Sequence, residues 1–510
     1  MNPFVPTSLN SGEAEWRRLD GRTIAITTVT LVGFTAMAGF SLTTVTWLIG
    51  IPLDSVLAWI VAGAVAVVAA GLVGDWLRWT RTRYRLCADR LELHTGILVR
   101  RQRSLPRERI RSVDISAGLL LRVCGLARVE IGTGAHVDKD ETSLALDAVS
   151  QVEADRLRHE LLDHAPAADA TDGPIAELNR RWIWYAPLSV ESFVLGSGAF
   201  GGVLSVADLF GVEGDALTWT YTLLDSMPLP AAILTVVASG GAVGAGGALL
   251  LFVSTWWGYR LDREPGGTLR VRRGLLTTHS VSLAEHRLRG VEVVESFGHR
   301  LLGAARVDAI ATGLADEEEG EESDHRTLLP NAPKALAHEV ARVVLAENTA
   351  PTDPSVLRGH VRAARDRRLA RALWLALIPA AVMATVGLLV TDVLLHIAWV
   401  WALTGSVLGV PSALDAYRNL GHGVSGRCLV ARHGVLRRTT TVLRCEGVIG
   451  WSVEQSVFQR RKGLITVTAV TAAGDGRYAV YDVDENSGLS FADTAVPGLI
   501  TQFLESRLPG

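Results

Sequence analysis

The sequence predicts an α+β multi-pass membrane protein. Three transmembrane helical hairpins, six helices in all, alternate with three cytoplasmic β-barrel or sandwich modules, each closed by a C-terminal helix. Three observations predict this. First, with 48% hydrophobic residues over 510 positions and a mean hydropathy of +0.26, the chain is too apolar for a soluble protein of its length. The excess sits in three blocks, Thr23 to Leu77, Trp182 to Phe252 and Leu373 to Ala416. A span needs about 20 apolar residues, and each block holds two such runs around a turn: Gly50 to Asp54, Asp208 to Pro230, and Thr391-Asp392.

Second, one polar stretch recurs after each block. Gly96 to Ile131 aligns without a gap on Gly274 to Ala309 and on Gly434 to Ala469. Leu105, Leu283 and Leu443 share a column, as do Val113, Val291 and Trp451, and then Gly125, Gly303 and Gly463. Arg122, Arg300 and Arg460 stand three residues before that last glycine. Self-similarity of this kind marks a repeated structural unit. Third, arginines flank the blocks and avoid their turns: Arg17, Arg18, Arg22, Arg78, Arg81, Arg83 and Arg85 surround the first hairpin, whose turn carries only Asp54. The other two hairpins repeat the asymmetry, so the positive-inside rule puts all three modules and both termini in the cytoplasm. The expected location is a plasma membrane.

In chain order, residues 1–22 form a cytoplasmic tail. Its Trp16-Arg17-Arg18-Leu19 reads as an interfacial anchor at the headgroup boundary, and no signal-peptide cleavage pattern follows. Hairpin 1 (23–77) leads to module 1 (78–165). There Leu91 to His94 alternates, Thr95-Gly96 turns the chain, and Ile97 to Val99 starts the second strand of a hairpin. Further strands are expected at Ile110 to Ile115, Arg128 to Ile131 and Leu144 to Leu146. A closing helix from Val149 to His164 shows Val152, Leu157, Leu161 and Leu162 at helical spacing.

A linker (166–181) precedes hairpin 2 (182–256), which holds Glu191, an intramembrane ionisable candidate, near Pro187. Gly198 with Gly202, and Gly240 with Gly244 and Ala248, predict close helix packing there. Module 2 (257–348) carries an acidic loop at 316–324, read as a solvated insertion. The basic linker (349–371) places Arg358, Arg362, Arg365, Arg367, Arg368 and Arg371 before hairpin 3 (372–417), where a basic helix would meet anionic lipid. Module 3 (418–510) repeats the strands and closes with a helix around Ala492 to Leu504.

Module 1 contains Leu105-Pro106-Arg107-Glu108-Arg109-Ile110-Arg111-Ser112-Val113 and then Arg122 to Leu126, after a transmembrane hairpin. This resembles the bacterial pleckstrin-homology-like (bPH2) membrane family of the YdbS/YdbT type, and the three-hairpin layout is similar to its long YdbT-like members. The resemblance implies a pleckstrin-homology-like fold and implies no catalytic residue. Module 2 has Ala284 in place of the proline, and module 3 has Arg444 there and Gly447-Val448 for the Arg-Ile pair.

No nucleophile elbow, zinc-protease motif, P-loop or Cys-x-x-Cys occurs, so neither an enzyme, a metal nor a cofactor is expected. Cys87, Cys124, Cys428 and Cys445 read as reduced, buried thiols. A net charge of −3 disfavours a nucleic-acid binder. The candidate binding face is Arg100, Arg101, Arg103, Arg107, Arg109 and Arg111, which crowd two neighbouring strands. The expected function is non-catalytic: modules presented to the cytoplasm to bind protein, peptide or anionic inner-leaflet lipid in a scaffold role. A membrane-protein partner would include a shorter member of the family. The alternative is a transporter or channel using Glu191.

Overall fold

The computed structural model describes residues 16–49, 52–87, 89–96, 100–107, 110, 112–132, 143–162, 173–188, 213–264, 267–312 and 326–500, with a few positions between 194 and 205. In chain order these residues form β1 (Arg17–Arg18), α1 (Arg22–Leu48), α2 (Leu53–Arg81), β2 (Arg83–Leu86), β3 (Arg90–Thr95), β4 (Arg101–Pro106) and β5 (Ser112–Ala117). Next come α3 (Leu119–Val123), β6 (Leu126–Gly132), β7 (Ser143–Ser150), α4 (Gln151–Leu162), β8 (Ala176–Glu177), α5 (Glu213–Asp225) and α6 (Leu229–Trp256). They are followed by β9 (Arg260–Glu264), β10 (Thr268–Arg273), β11 (Thr278–Ala284), β12 (Leu288–Ser296), α7 (Phe297–Leu301), β13 (Ala304–Ala311), β14 (Thr327–Pro333) and α8 (Lys334–Leu345). The last elements are α9 (Arg362–Val390), α10 (Asp392–Arg418), β15 (Gly421–Ser425), β16 (Cys428–His433), β17 (Arg437–Arg444), β18 (Val448–Glu454), α11 (Val457–Arg460), β19 (Leu464–Thr471), β20 (Arg477–Asp484) and α12 (Glu485–Ala495).

Two compact units result. One comprises residues 1–172 with 263–285, the other 173–262 with 286–510. In the first, β1-β2-β3-β4 form one antiparallel sheet, and β7-β6-β5-β11-β10 run in order through a second. Leu91, Leu93, Ile110, Val113, Val129, Ile131, Leu144 and Leu146 are buried in one core with Leu157 and Leu161 of α4. Period-2 alternation explains the strand contribution and helical spacing the rest. Val152 is the exception to the sequence reading: it is 82% exposed, because one turn of α4 cannot turn positions 152, 154 and 157 to the same face, and Ala154 takes the buried place.

In the second unit, β14-β13-β12-β17-β16-β15 form one sheet and β18-β19-β20 another. Leu429, Leu443, Ile465, Val467, Val480, Val483 and Phe491 fill the core between them.

The aligned glycines adopt matching backbones. Gly96, Gly274 and Gly434 have φ of 117°, 111° and 116°, and Gly125, Gly303 and Gly463 have φ of 68°, 67° and 63°. Each glycine of the second trio donates its N–H to the carbonyl of the arginine three residues earlier, at 3.0, 3.3 and 3.3 Å. Its own carbonyl accepts the N–H of Gln151, Lys334 or Glu485, the first residue of α4, α8 and α12 in turn. The Arg-x-x-Gly spacing is therefore one helical turn stopped by a left-handed residue, which then seeds the closing helix.

Two of the sheets are not confined to one recurrence of the sequence pattern. Strand β11, from the second recurrence, pairs with β5 of the first, and β17 of the third pairs with β12 of the second. Both junctions keep the same register: Leu283 lies opposite Ser112 and Leu443 opposite Gly290, and these are aligned positions.

Five helices, α1, α2, α6, α9 and α10, are long and apolar enough to cross a membrane among the described residues. The second hairpin departs from expectation. Arg180–Leu188 forms a 3-10 stretch containing Pro187, and Trp182 is buried there beside Tyr259, with ring centroids 6.2 Å apart. Trp182 therefore does not begin a long apolar helix, and most of the segment from 189 to 212 lies outside the described residues. The expected turn from Asp208 to Pro230 contains a helix, α5. Pro228 and Pro230 open α6 instead of ending a turn, since proline suits the first helical positions.

Close helix packing follows the expectation only in part: Gly244 and Ala248 are buried on α6. A Cβ at Gly240, Gly198 or Gly202 would meet nothing within 4 Å, whereas one at Gly387 would sit 2.9 Å from Leu395 N and one at Gly405 3.0 Å from Ala376 Cβ. The α9–α10 pair is tightly packed, and α1 and α2 also approach closely where a Cβ at Gly71 would run into the Leu31 side chain. The tail is likewise no free anchor: Arg17 and Arg18 pair with Tyr84 and Arg83 as an added strand. Trp16 packs on His94 at 4.3 Å beneath the Arg85 guanidinium at 4.6 Å, and Leu19 O accepts from Trp79 Nε1 at 2.8 Å.

Candidate functional site

Three short helices, α3, α7 and α11, follow the strands β5, β12 and β18, and each ends on a left-handed glycine. One turn of helix cannot bury all of its side chains against a sheet edge. The outward ones here are apolar: Leu119, Leu120 and Val123 are 51%, 45% and 85% exposed, Phe297, Leu301 and Leu302 are 46%, 70% and 56%, and Val457 and Phe458 are 64% and 70%. Such exposure is unremarkable for one residue but not for clusters repeated at aligned positions.

Each cluster is tied to the end of an apolar helix or to the segment that leads into one. Arg22, the first residue of α1, donates to Cys124 O at 3.3 Å, just past α3. In the second unit, His299 of α7 meets Tyr185 O at 2.9 Å, in the 3-10 stretch. Arg300 grips Asp415, in the last turn of α10, through both carboxylate oxygens at 2.9 Å. Gln459 of α11 donates to Asp482 Oδ1 at 3.1 Å, and Asp482 also receives Arg367 from the second turn of α9. Charge-assisted hydrogen bonds of this kind are among the stronger ones, so the clusters are held at the ends of the apolar helices or their lead-ins.

The arginines predicted as one binding face do not share one. The pleat puts Arg101 and Arg103 on the same side of β4 as Leu105, and Arg100 on the other. Arg100 and Arg101 are exposed and Arg103 half-buried. Arg107 donates to the carbonyl of Glu160 near the end of α4, so it braces the closing helix. Arg109 and Arg111 lie outside the described residues, as do Glu191 and the acidic loop at 316–324. The basic linker is not a separate helix, because α9 begins at Arg362. Arg367 and Arg368 are both spent on Asp482, the latter at 3.4 Å.

Buried charge marks the inter-strand junctions. In the first unit Arg158, on α4, meets Glu264 at 2.7 Å and Arg270 meets the same carboxylate at 3.0 Å. Burial would raise the Glu264 carboxyl, but the hydrogen bond from Arg158 and the two guanidinium charges hold it below the usual range. In the second unit Glu295 lies opposite Arg438 in register, pairs with it and also meets Lys334 at 3.1 Å. Glu292 faces Thr441, whose hydroxyl donates to it at 2.9 Å. Burial, against that hydrogen bond and with Asp308 and Asp475 nearby, pushes the Glu292 carboxyl up to about 7.

Burial also shifts two histidines and a cysteine. His360 and His422 stack edge-on at 5.0 Å. Burial, the neighbouring ring and Arg368 push His360 down to about 3, and burial and Arg358 push His422 down to about 4. The Cys428 thiol, buried and 3.6 Å from Glu347 Oε1, is pushed up to about 12, which makes it a poor nucleophile. Among the described residues no group of three or more histidine, cysteine, aspartate or glutamate side chains could hold a metal ion.

A model of the bacterial PH domain matches residues 25–165 and 372–492, so each match takes in apolar helices and the strands that follow them. The second match covers the segment with Arg444 and Gly447-Val448, so those departures from the module 1 pattern do not remove it from the family. The UPF0699 transmembrane protein YdbT of Bacillus subtilis (strain 168) is 20% identical over 432 residues, 79% of this chain and 83% of that protein. No solved structure matches the chain.

Proposed function

Because the chain belongs to the bacterial PH domain family, we propose that it is a non-catalytic integral membrane protein that holds three PH-like modules against the cytoplasmic leaflet as a scaffold. In this reading six spans anchor the chain, residues 78–165, 257–348 and 418–510 are the modules, and both termini are cytoplasmic. The observation that carries it is the set of exposed apolar clusters on α3, α7 and α11, each bound to the polar end or lead-in of an apolar helix. Apolar side chains at that level enter the boundary between headgroup and acyl chain, and each methylene buried there contributes about 0.8 kcal/mol. Exposed Arg101, at the start of β4, supplies positive charge that attracts anionic lipid. With the leaflet-facing side occupied, sheet edges and the remaining faces are left for protein or peptide.

Val123→Cys and Phe458→Cys, each nitroxide-labelled in a full-length chain whose native cysteines are serine, test the leaflet contact in nanodiscs. The labels are expected to be relaxed by oxygen, which partitions into lipid, and shielded from a water-soluble nickel chelate. Full exposure of both labels to the chelate refutes the leaflet contact.

A further inference from the structure

The two internal junctions follow one rule: the last strand of one recurrence's opening sheet pairs with the first strand of the preceding recurrence's second sheet. Applied along the chain, the rule leaves one edge without a neighbour at each end. Among the described residues β4 has only β3 beside it, and β18 has only β19. The aligned pattern occurs three times, so within it β4 and β18 are the two junction edges left over among the described residues.

The open edge of β18 is built like a covered one. In β12, which β17 covers, Val293 and Val294 are 1% and 4% exposed, while the aligned Val453 of β18 is 44% exposed and Glu454 is exposed too. Gly290 of β12 is needed for the junction: a Cβ there would lie 2.1 Å from Val442 O and 2.9 Å from the Leu443 side chain. Its counterpart Gly450 follows the same bulge, between Val448 and Gly450 as between Leu288 and Gly290. Yet a Cβ at Gly450 would meet nothing within 4 Å, and its φ is not in the left-handed region. This chain by itself gives Gly450 no reason to be glycine. A strand approaching as closely as β17 approaches Gly290 would supply one, whereas the β5–β11 junction takes a small Ser112 at the aligned position.

We propose that β18 of one copy pairs antiparallel with β4 of a second copy, in the register of the internal junctions. That register places Leu105 opposite Gly450, as Leu443 lies opposite Gly290. It also puts Ser104 opposite Trp451, as Ser282 lies opposite Val113, a small side chain against a large one. Gln102 falls opposite Val453, and Arg101 opposite Glu454. Opposite charges directly across a pair stabilise it, and the β12–β17 junction already contains one, Arg438 with Glu295. Edge strands that stay free are commonly guarded by charge or proline. Arg101 and Pro106 fit that use for β4, but β18 carries exposed Ile449 and Val453 and no guard except Glu454, the residue that Arg101 would meet. The contact is head-to-tail, so copies close into a ring or continue as a row in the membrane plane. It does not depend on leaflet contact by the apolar clusters.

Two measurements test this. Gln102→Cys and Val453→Cys are placed on separately tagged full-length chains lacking native cysteines, co-expressed, and oxidised in native membranes. A disulfide-linked mixed dimer is expected, and Gln102→Cys with Ile449→Cys, four residues out of register, should give less than a tenth of it. Equal yields from the two pairs, or no mixed dimer, overturn the proposal. A link formed only when both cysteines are on one chain overturns it as well, in favour of closure within the chain.

Gly450→Leu is the second test, because it enters open space in the single chain and blocks only an incoming strand. The purified variant in detergent is expected to keep the wild-type unfolding midpoint and to lose the higher-order species seen for wild type by mass photometry. A wild-type chain that stays monomeric, or a Gly450→Leu chain that assembles equally, refutes the pairing.

Discussion

Replacing Gly463 and Gly434 by alanine separates two reasons for being glycine. Gly463 has φ of 63°, and a Cβ there would touch nothing within 4 Å. The cost of Gly463→Ala is thus conformational alone: about 1–2 kcal/mol for an L-residue in the left-handed region, reduced by about 0.4–1 kcal/mol because alanine also restricts the unfolded chain. A net loss of about 1 kcal/mol is expected. Gly434 has φ of 116°, outside the well that other residues can occupy, and a Cβ would lie 1.9 Å from the carbonyl oxygen of Arg437. That oxygen belongs to backbone, in the strand β17 that joins β12, and cannot swing away. Gly434→Ala must therefore open the turn or displace the junction, at about 3 kcal/mol or more. Thermal unfolding of the full chain in detergent, followed by the near-ultraviolet signal of its tryptophans, reads both. Gly463→Asn should recover most of the Gly463→Ala loss, since asparagine tolerates the left-handed region. Equal midpoints for Gly434→Ala and Gly463→Ala would show that the turn geometry does not support the junction, and the reasoning would fail.

Further outcomes are expected. Glu292, pushed up to about 7, holds a proton in the folded state between roughly pH 4.5 and 7 that the unfolded chain has released; its contribution is complete below that window and is lost as pH rises through it. Glu292→Gln keeps an acceptor for Thr441, so its midpoint should exceed wild type by more at pH 8 than at pH 5, and a pH-independent difference would contradict the assignment. Leu157→Ala, at a side chain 2% exposed, should cost about 2–4 kcal/mol. Val152→Ala should change stability by less than about 0.5 kcal/mol, and equal losses in chemical denaturation would refute the placement of α4. Reporters fused after Gly510 and inserted between Ala165 and Asn179 should both read as cytoplasmic, and an external signal at either would end the six-span reading.

Much of this architecture was legible in the sequence because it is set by local chemistry. An apolar run of membrane length identifies itself, and five of the six expected spans are present among the described residues as long apolar helices. The aligned glycines announced a backbone that other residues avoid, and all six took positive φ. The three-residue spacing before each glycine also had a local cause, one helical turn closed by a backbone carbonyl that any residue would supply. What the sequence misjudged was context. Val152 lies at helical spacing yet outside the stripe, the arginines around β4 fall on opposite faces or brace α4, and Trp182 packs on Tyr259 instead of opening a span.

The junctions were settled by tertiary structure alone. Alternation tells which side chains of β11, β17, β5 and β12 are buried, because that is a property of each strand's own period. It is silent on which strand lies along each edge, since the edge offers only backbone N–H and C=O groups that are the same for every residue but proline. The choice falls to packing across more than a hundred residues of sequence, where Arg438 finds Glu295 and Thr441 finds Glu292, and where Gly290 lets a neighbour approach.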